Sequence, residues 1–569
     1  MRSPVSPFSY VKPDVSMKRS QFRRPFRHLT TLSAGKLYPI MCDEVLPGDT
    51  FSVDLSALVR MSTPIHPVMD NCFIDLAFFY CPSRILWDNW KSFMGESPED
   101  PYINPVEYSV PQLKFPEASL VKRTVRFKSV ADYMGLPAGS IVESVNALPF
   151  RGFAKIWNEW YRDQNLQDAI DIDYSDSDHD YAISIIADTE WQQTCAYGGG
   201  LPPVNKFHDY FTSALLEPQK GEAVPIPLSG FAPVYANDLV DLEMINGTVD
   251  DPVRIKDSDF NDVSGLLTLQ DSKLYYASGD YGYEDSIHFN NLASDLSNLV
   301  GTYATINDLR YAFQLQRFLE RDAFGGTRYR ELLLSHFGVV SPDATQQVPE
   351  FLGAKRIPIN MSQVLQTSAT NDVSPQGNTA AYSLTQDSFN GFTKSFTEHG
   401  YLYCVACIRT EHTYQQGLER MWLRKDKFDF YFPEFANISF QPIYNKQIYN
   451  PDLSVLDFDN EEANAAFEVM NEIFGYQEPW AEYRYKPNRV SGEFRSSYPQ
   501  SLDVWHYADD YSEQPYLSDE WIRETRANVD RTLAVSSDLA DQFIADFYFQ
   551  MDTTRVMPVT SRPGLADHH

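Results

Sequence analysis

The stretch CDEVLPGDTFSVDLSALVRMSTPIHPVMDN, residues 42–71, decides how the chain is read. Pro47 and Gly48 stand at the two central positions of a turn. Proline presets φ and glycine accepts a positive φ, which a type II turn requires. Phe51, Val53, Leu55 and Ala57 then alternate with Ser52, Asp54 and Ser56, the period of a strand with one buried face. Pro64 and Pro67 cannot donate to a central ladder, so the chain leaves the sheet or follows its edge there. Next, CFIDLAFFYCP (residues 72–82) is almost continuously apolar and β-prone, which predicts a buried strand. The whole stretch is tightly specified, yet no reactive group stands in it.

Further strands are expected at GYLYCVACIRTEHTY (400–414), KFDFYFPEFANISF (427–440) and DQFIADFYFQMDTTRVMP (541–558). Helical spacing occurs at 85–96, at 153–165 with Phe153, Ile156 and Trp160 on one face, at 306–323 and at 327–337, with Gly338 placed as a C-cap. Between about Ser229 and Leu299 acids greatly outnumber bases and the core periodicity weakens, which reads as an insertion projecting from the main body. Strands early, strands late and helices in the intervals predict a mainly β fold. A two-sheet jelly roll tolerates such insertions, because its long connections lie at the ends of the sandwich.

The 569 residues allow a sizeable core. Tyr 34 and Phe 37 mark an aromatic-rich chain, which favours strands and interfaces. A net charge of -31 excludes a dedicated nucleic-acid binder, whose affinity rests on phosphate contacts. Six cysteines (Cys42, Cys72, Cys81, Cys195, Cys404 and Cys407) are too few for a disulfide framework. With no apolar leader and no long apolar run, a soluble chain made in a reducing cytoplasm is expected, with no membrane insertion.

No catalytic, cofactor or metal motif survives inspection. Cys404 and Cys407 fit C-x-x-C, but positions i and i+3 of a strand face opposite ways, so both thiols cannot meet one metal. DIDYSDSDHD (171–180) fails as a calcium loop, with Tyr181 where glycine and Ala187 where glutamate is required; it reads as a solvated acidic loop. GGGLPP (198–203) and FGGTRY (324–329) lack phosphate-loop spacing. Glu398-His399 and Glu411-His412 are neighbours on strands and face apart. The one electrostatic anomaly is residues 1–28, where bases outnumber a single acid, Asp14. Four prolines there argue for an extended basic arm and against a packed element. Lys18, Arg19, Phe22, Arg23, Arg24, Phe26 and Arg27 interleave cations with rings, a composition that holds single-stranded nucleic acid. An arm packed on a neighbouring subunit's acidic surface explains the same residues.

Longer words carry a more specific signal. HLTTLSAGKLYPIMCDEVLPGDTF (28–51), RMSTPIHPVMDN (60–71), LPFRGFAKIWNEWYRDQN (148–165), HDYFTSALLEPQKG (208–221), LERDAFGGTRYRELLLSHFGVVSPDA (319–344), FTKSFTEHG (392–400), TYQQGLERMW (413–422), FGYQEPWAEYRYKP (474–487), SLDVWHYA (501–508) and PGLADHH (563–569) together resemble the major capsid proteins of microviruses, of the gokushovirus group. The resemblance implies a bacteriophage capsid subunit, not an enzyme, built on a single eight-stranded viral jelly roll with large loop and helix-containing insertions. It divides the chain into a basic arm (1–28), jelly-roll core (29–228 and 300–569) and an acidic surface insertion (229–299) at threefold protrusions. Sixty copies would form a T=1 shell around circular single-stranded DNA. The implied partners are an internal scaffolding protein, a small basic DNA-binding protein, a DNA pilot protein and a host surface receptor. The implied location is the virion, assembled in the bacterial host cytoplasm. The rival reading is a jelly-roll carbohydrate-binding module or glycosidase; the latter needs two opposed carboxylates about 5–10 Å apart.

Overall fold

The computed structural model describes residues 18–96, 107–114, 125–139, 142–181, 191–224, 306–365, 367–368, 376–377, 379–450, 469–536 and 539–560, with short backbone strands between 234 and 294. The nine principal strands are β1 (Ser20–Arg23), β2 (Phe26–Leu32), β3 (Leu37–Val45), β4 (Thr50–Met61), β5 (Cys72–Pro82), β6 (Glu350–Pro358), β7 (Thr385–Ser395), β8 (Gly400–Thr410) and β9 (Phe543–Arg555). They make two antiparallel sheets. In the first, β1 and β2 pair with β9, then β4, then β7. In the second, the order is β6-β5-β8-β3.

The quoted stretch folds as its chemistry dictates. Gly48 has φ +88, and the Asp49 N–H donates to the Leu46 carbonyl at 3.0 Å, closing the turn. The fully buried Asp49 carboxylate accepts from the Leu46 N–H and from Arg555 Nε at 2.9 Å, which ties the turn to the end of β9. In β4, Phe51, Val53, Leu55, Ala57 and Val59 are buried and their neighbours are not. Residues 62–71 lie outside the sheets, with Pro64 in an isolated bridge to Leu533.

The two periodicities identify which sheet is covered. The inward residues of β4 and β9 share one hydrophobic cluster with Ile74, Leu76, Phe78, Leu402 and Cys404 of the second sheet. The opposite face of the second sheet is also buried: Phe79, Cys81, Tyr403 and Cys407 pack under helix α1 (Leu148–Ile156) and Trp157. A strand buried on both faces needs apolar residues at nearly every position, hence the almost continuous apolar runs of β5 and β8, interrupted at Asp75 and Arg409, which pair with each other. Cys404 and Cys407 accordingly enter different clusters, and both are free thiols.

Helices α2 (Ile306–Gly325) and α3 (Tyr329–Phe337) lie where spacing predicts them. Three expectations need correction. KFDFYFPEFANISF is not a strand: it contains 3-10 turns at Lys427–Asp429 and Pro433–Phe435, because Asp429 accepts the backbone N–H groups of Lys425 and Asp426 and curls the chain. The helix expected at 85–96 is reduced to one turn, Trp90–Phe93. The basic arm is a packed element over residues 20–32, because β1 and β2 find an edge partner in β9; residues 1–17 lie outside the described set.

The chain separates into two compact units, 1–220 with 320–569, and 221–319. Within the second, Leu266–Gln270 and Lys273–Ala277 form an antiparallel hairpin. Most of the expected acidic insertion lies outside the described residues.

Candidate nucleic-acid interface

Strand alternation splits the predicted basic-aromatic group. Arg23 and Arg27 point outward, with side chains 78% and 64% exposed, and pair with Asp552 and Asp546 of β9. Lys18 and Arg19 are also exposed. Phe22, Arg24 and Phe26 take the other face. Phe26 stacks on Phe549 at 4.6 Å, while Arg24 pairs with Asp43 and lies over the Phe51 ring. Phe26 is therefore half-buried, with one ring face packed against Phe549. The outward cations remain accessible.

Three carboxylates of the acidic loop, Asp173, Asp176 and Asp178, are held by hydrogen bonds or ion pairs. Burial pushes the Asp173 carboxyl up, but hydrogen bonds from Ser175 and His179 outweigh it and hold it at about 2. Asp176 accepts from Trp87 Nε1 at 2.6 Å and from Asn89, and Asp178 pairs with Lys114 at 2.6 Å. Among the described residues, no group of three or more His, Cys, Asp and Glu side chains could hold a metal ion.

Two assemblies escape sequence inspection. The first centres on His412. Its Nδ1 lies 2.9 Å from Asp509 and its Nε2 lies 2.8 Å from Glu524, all three side chains buried. Glu524 also accepts from Thr410, and Asp509 from Asn528, with Lys206 Nζ at 3.5 Å. Burial alone lowers the imidazole pKa, but the two carboxylates outweigh it and raise it to about 10. Both ring nitrogens thus donate to carboxylates, leaving neither for a substrate. This is a clamp joining segments near 206, 410, 509 and 524.

The second is a cleft of about 590 Å³, within the size range of small-ligand sites. Residues 414–424 and 482–495 form its walls, with Tyr210, Phe211 and Gln447. The clamp anchors one wall: the Asp509 N–H donates to the Thr413 carbonyl, and Gln415 Nε2 to the Asp509 carbonyl. Tyr210 and Tyr485 stack at 5.3 Å, and Tyr210, Phe211 and Tyr414 continue into a third apolar cluster below. Five cations line the cleft (Arg420, Arg424, Lys486, Arg489 and Arg495) against two carboxylates, Glu419 and Glu482. Glu482 lies 3.2 Å from Arg424 and 3.6 Å from Arg420, and Glu419 pairs with Lys486 and Arg489. Arg495 donates to the Gln415 carbonyl. The signal available in the sequence was RMWLRKDKFDFYF, residues 420–432, which interleaves rings and cations as residues 19–27 do.

A family model described as capsid protein (F protein) matches residues 11–565. The chain belongs to this family of phage capsid proteins. Capsid protein VP1 of Spiroplasma virus 4 is 38% identical, over 99% of this chain and 98% of that protein. Capsid protein VP1 of Bdellovibrio phage phiMH2K is 37% identical, over 96% and 95%. The VP1 of Chlamydia phage 1 is 36% identical, over 98% and 97%. Among the described residues no helix is long and apolar enough to cross a membrane.

Proposed function

We propose that this chain is the structural subunit of a T=1 shell of sixty copies enclosing a circular single-stranded DNA genome. Kinship with capsid proteins along almost the whole chain carries the reading. The fold is read as an eight-stranded jelly roll. Support comes from β2-β9-β4-β7 facing β6-β5-β8-β3, with the chain alternating between sheets except from β5 to β6. A shell subunit needs shaped surfaces that meet copies of itself through contacts whose rotations close. Its other expected partners are a scaffolding protein, a small basic DNA-binding protein, a pilot protein and a host receptor. It resides in the virion after assembly in the host cytoplasm, and has no catalytic role.

Full-length protein is expected to form closed shells in electron micrographs. A stable monomer that cleaves glycans and never forms shells would sink the reading. Deleting about 229–299, read as the surface insertion, is expected to leave shells intact and to impair attachment to host cells. Loss of assembly would instead make the insertion an essential subunit contact.

The outward residues Lys18, Arg19, Arg23 and Arg27 are read as contacts to packaged DNA. Changing Arg19, Arg23 and Arg27 to glutamine is expected to reduce DNA per particle more than it reduces shell yield. Equal losses of both would assign them to packing against a neighbouring subunit.

A further inference from the structure

We infer that the cleft between residues 414–424 and 482–495 is a second, separate site for single-stranded DNA, holding an unstacked nucleotide by its base and phosphate. The inference rests on the capsid reading above, and its chemistry comes from four features. The lining carries five cations against two carboxylates in a chain of net charge -31. An anion is therefore drawn to the cleft against the sign of the whole molecule. Lys486 and Arg489 share the one carboxylate of Glu419, and Arg420 and Arg424 share that of Glu482. Each pair keeps excess positive charge for a phosphate.

Rings stand among these cations. Trp422 is 66% exposed at the cleft, and Tyr483 lies under the Arg424 guanidinium at 4.5 Å. Beyond the rim, Phe428, Phe430, Tyr431 and Phe432 are exposed in succession, with Lys427 over Phe428 and Arg424 over Phe430. A subunit interface combines rings with arginine but is depleted of lysine, whereas Lys486 lines this cleft and Lys427 lies over Phe428. A groove for single strands instead alternates stacking faces with cations. The arrangement here is of the second kind. Finally, Gln447, itself a lining residue, has a buried Nε2 without a hydrogen-bond partner among the described residues. An amide donor of this kind suits the acceptor edge of a base.

The test uses the full-length chain and a short labelled oligothymidylate, followed by anisotropy and by tryptophan fluorescence. Wild-type protein is expected to bind with quenching, and Trp422→Ala to weaken binding about tenfold by removing one stacking face. Combining Lys486→Gln with Arg489→Gln is expected to lower the slope of log affinity against log salt by about 1.4, from two lost phosphate contacts. Unchanged melting would certify that both variants fold. Wild-type affinity and salt slope in both variants would overturn the assignment. So would displacement of the oligonucleotide by polyglutamate at equal charge, which would make an acidic protein segment the occupant. Shell formation in the same preparations reads the capsid proposal separately. Shells without cleft-dependent oligonucleotide binding overturn the cleft assignment alone.

Discussion

Replacing His412 with alanine is expected to destabilise the folded chain by about 3–5 kcal/mol, read as a fall in the denaturation midpoint of the unassembled subunit. The variant leaves the Asp509 and Glu524 carboxylates buried without the imidazolium that donates to both. Lys206 and Asn528 still reach Asp509, and Thr410 still reaches Glu524, so the loss stops short of two wholly unpaired charges. The pH dependence follows from the raised pKa. His412 titrates near 10 in the folded chain against an ordinary value of 6.5. Its contribution is therefore fully present below pH 6.5 and disappears as pH rises through 10. Asp509 is held far below the usual carboxylate range, chiefly by His412 and Lys206 working against burial. Its contribution is present above the unfolded carboxylate value and is lost in acid. The gap between wild type and His412→Ala should accordingly be widest just below pH 6.5, above the acid range in which the carboxylates protonate, and narrow towards pH 10. A gap independent of pH would show that the imidazole acts by packing alone.

The second large effect is expected at Phe78. Its fully buried ring sits between the sheets, 5.4 Å from Phe392 and 6.3 Å from Phe389. Gly391, in the bulge of β7, makes room for it: a Cβ there would stand 2.8 Å from the ring and 2.8 Å from the Val53 carbonyl. Phe78→Ala is expected to cost about 3–5 kcal/mol, since the rigid walls of two sheets cannot collapse into the void. Thermal melting and shell yield would both register it. The adjacent Phe79 faces the other cluster, 5.6 Å from Trp160. Phe79→Ala should therefore expose tryptophan to a soluble quencher while leaving the sandwich interior closed. If Phe78→Ala melts like wild type, the inter-sheet core does not hold the two sheets together as described.

Much of this architecture was legible because strand chemistry is local. Alternation in 51–57 marked a strand with one open face, and the almost continuous apolar run at 72–82 marked a buried strand. The same rule sent Cys404 and Cys407 to opposite faces. It also contained the correction to the basic segment. Once residues 20–32 are strands, Phe22, Arg24 and Phe26 must turn away from Arg23 and Arg27, so a contiguous basic-aromatic word cannot be a contiguous surface. The segment 427–440 misled for the converse reason. Its alternation is real, but Asp429 and Pro433 bend the backbone, and side-chain capping outweighs a β-prone composition.

The amino-acid order by itself determined the turns, the strand periods, the two faces of each strand and membership of a capsid family. These depend on residues within a few positions of one another or on long matching words. Only the tertiary structure decided that His412 meets Asp509 and Glu524, and that Tyr210, Tyr414, Trp422, Gln447, Lys486 and Arg489 surround one cleft. Those side chains come from segments up to hundreds of residues apart. Their meeting is set by the order of strands and the packing of sheets, which no local period encodes.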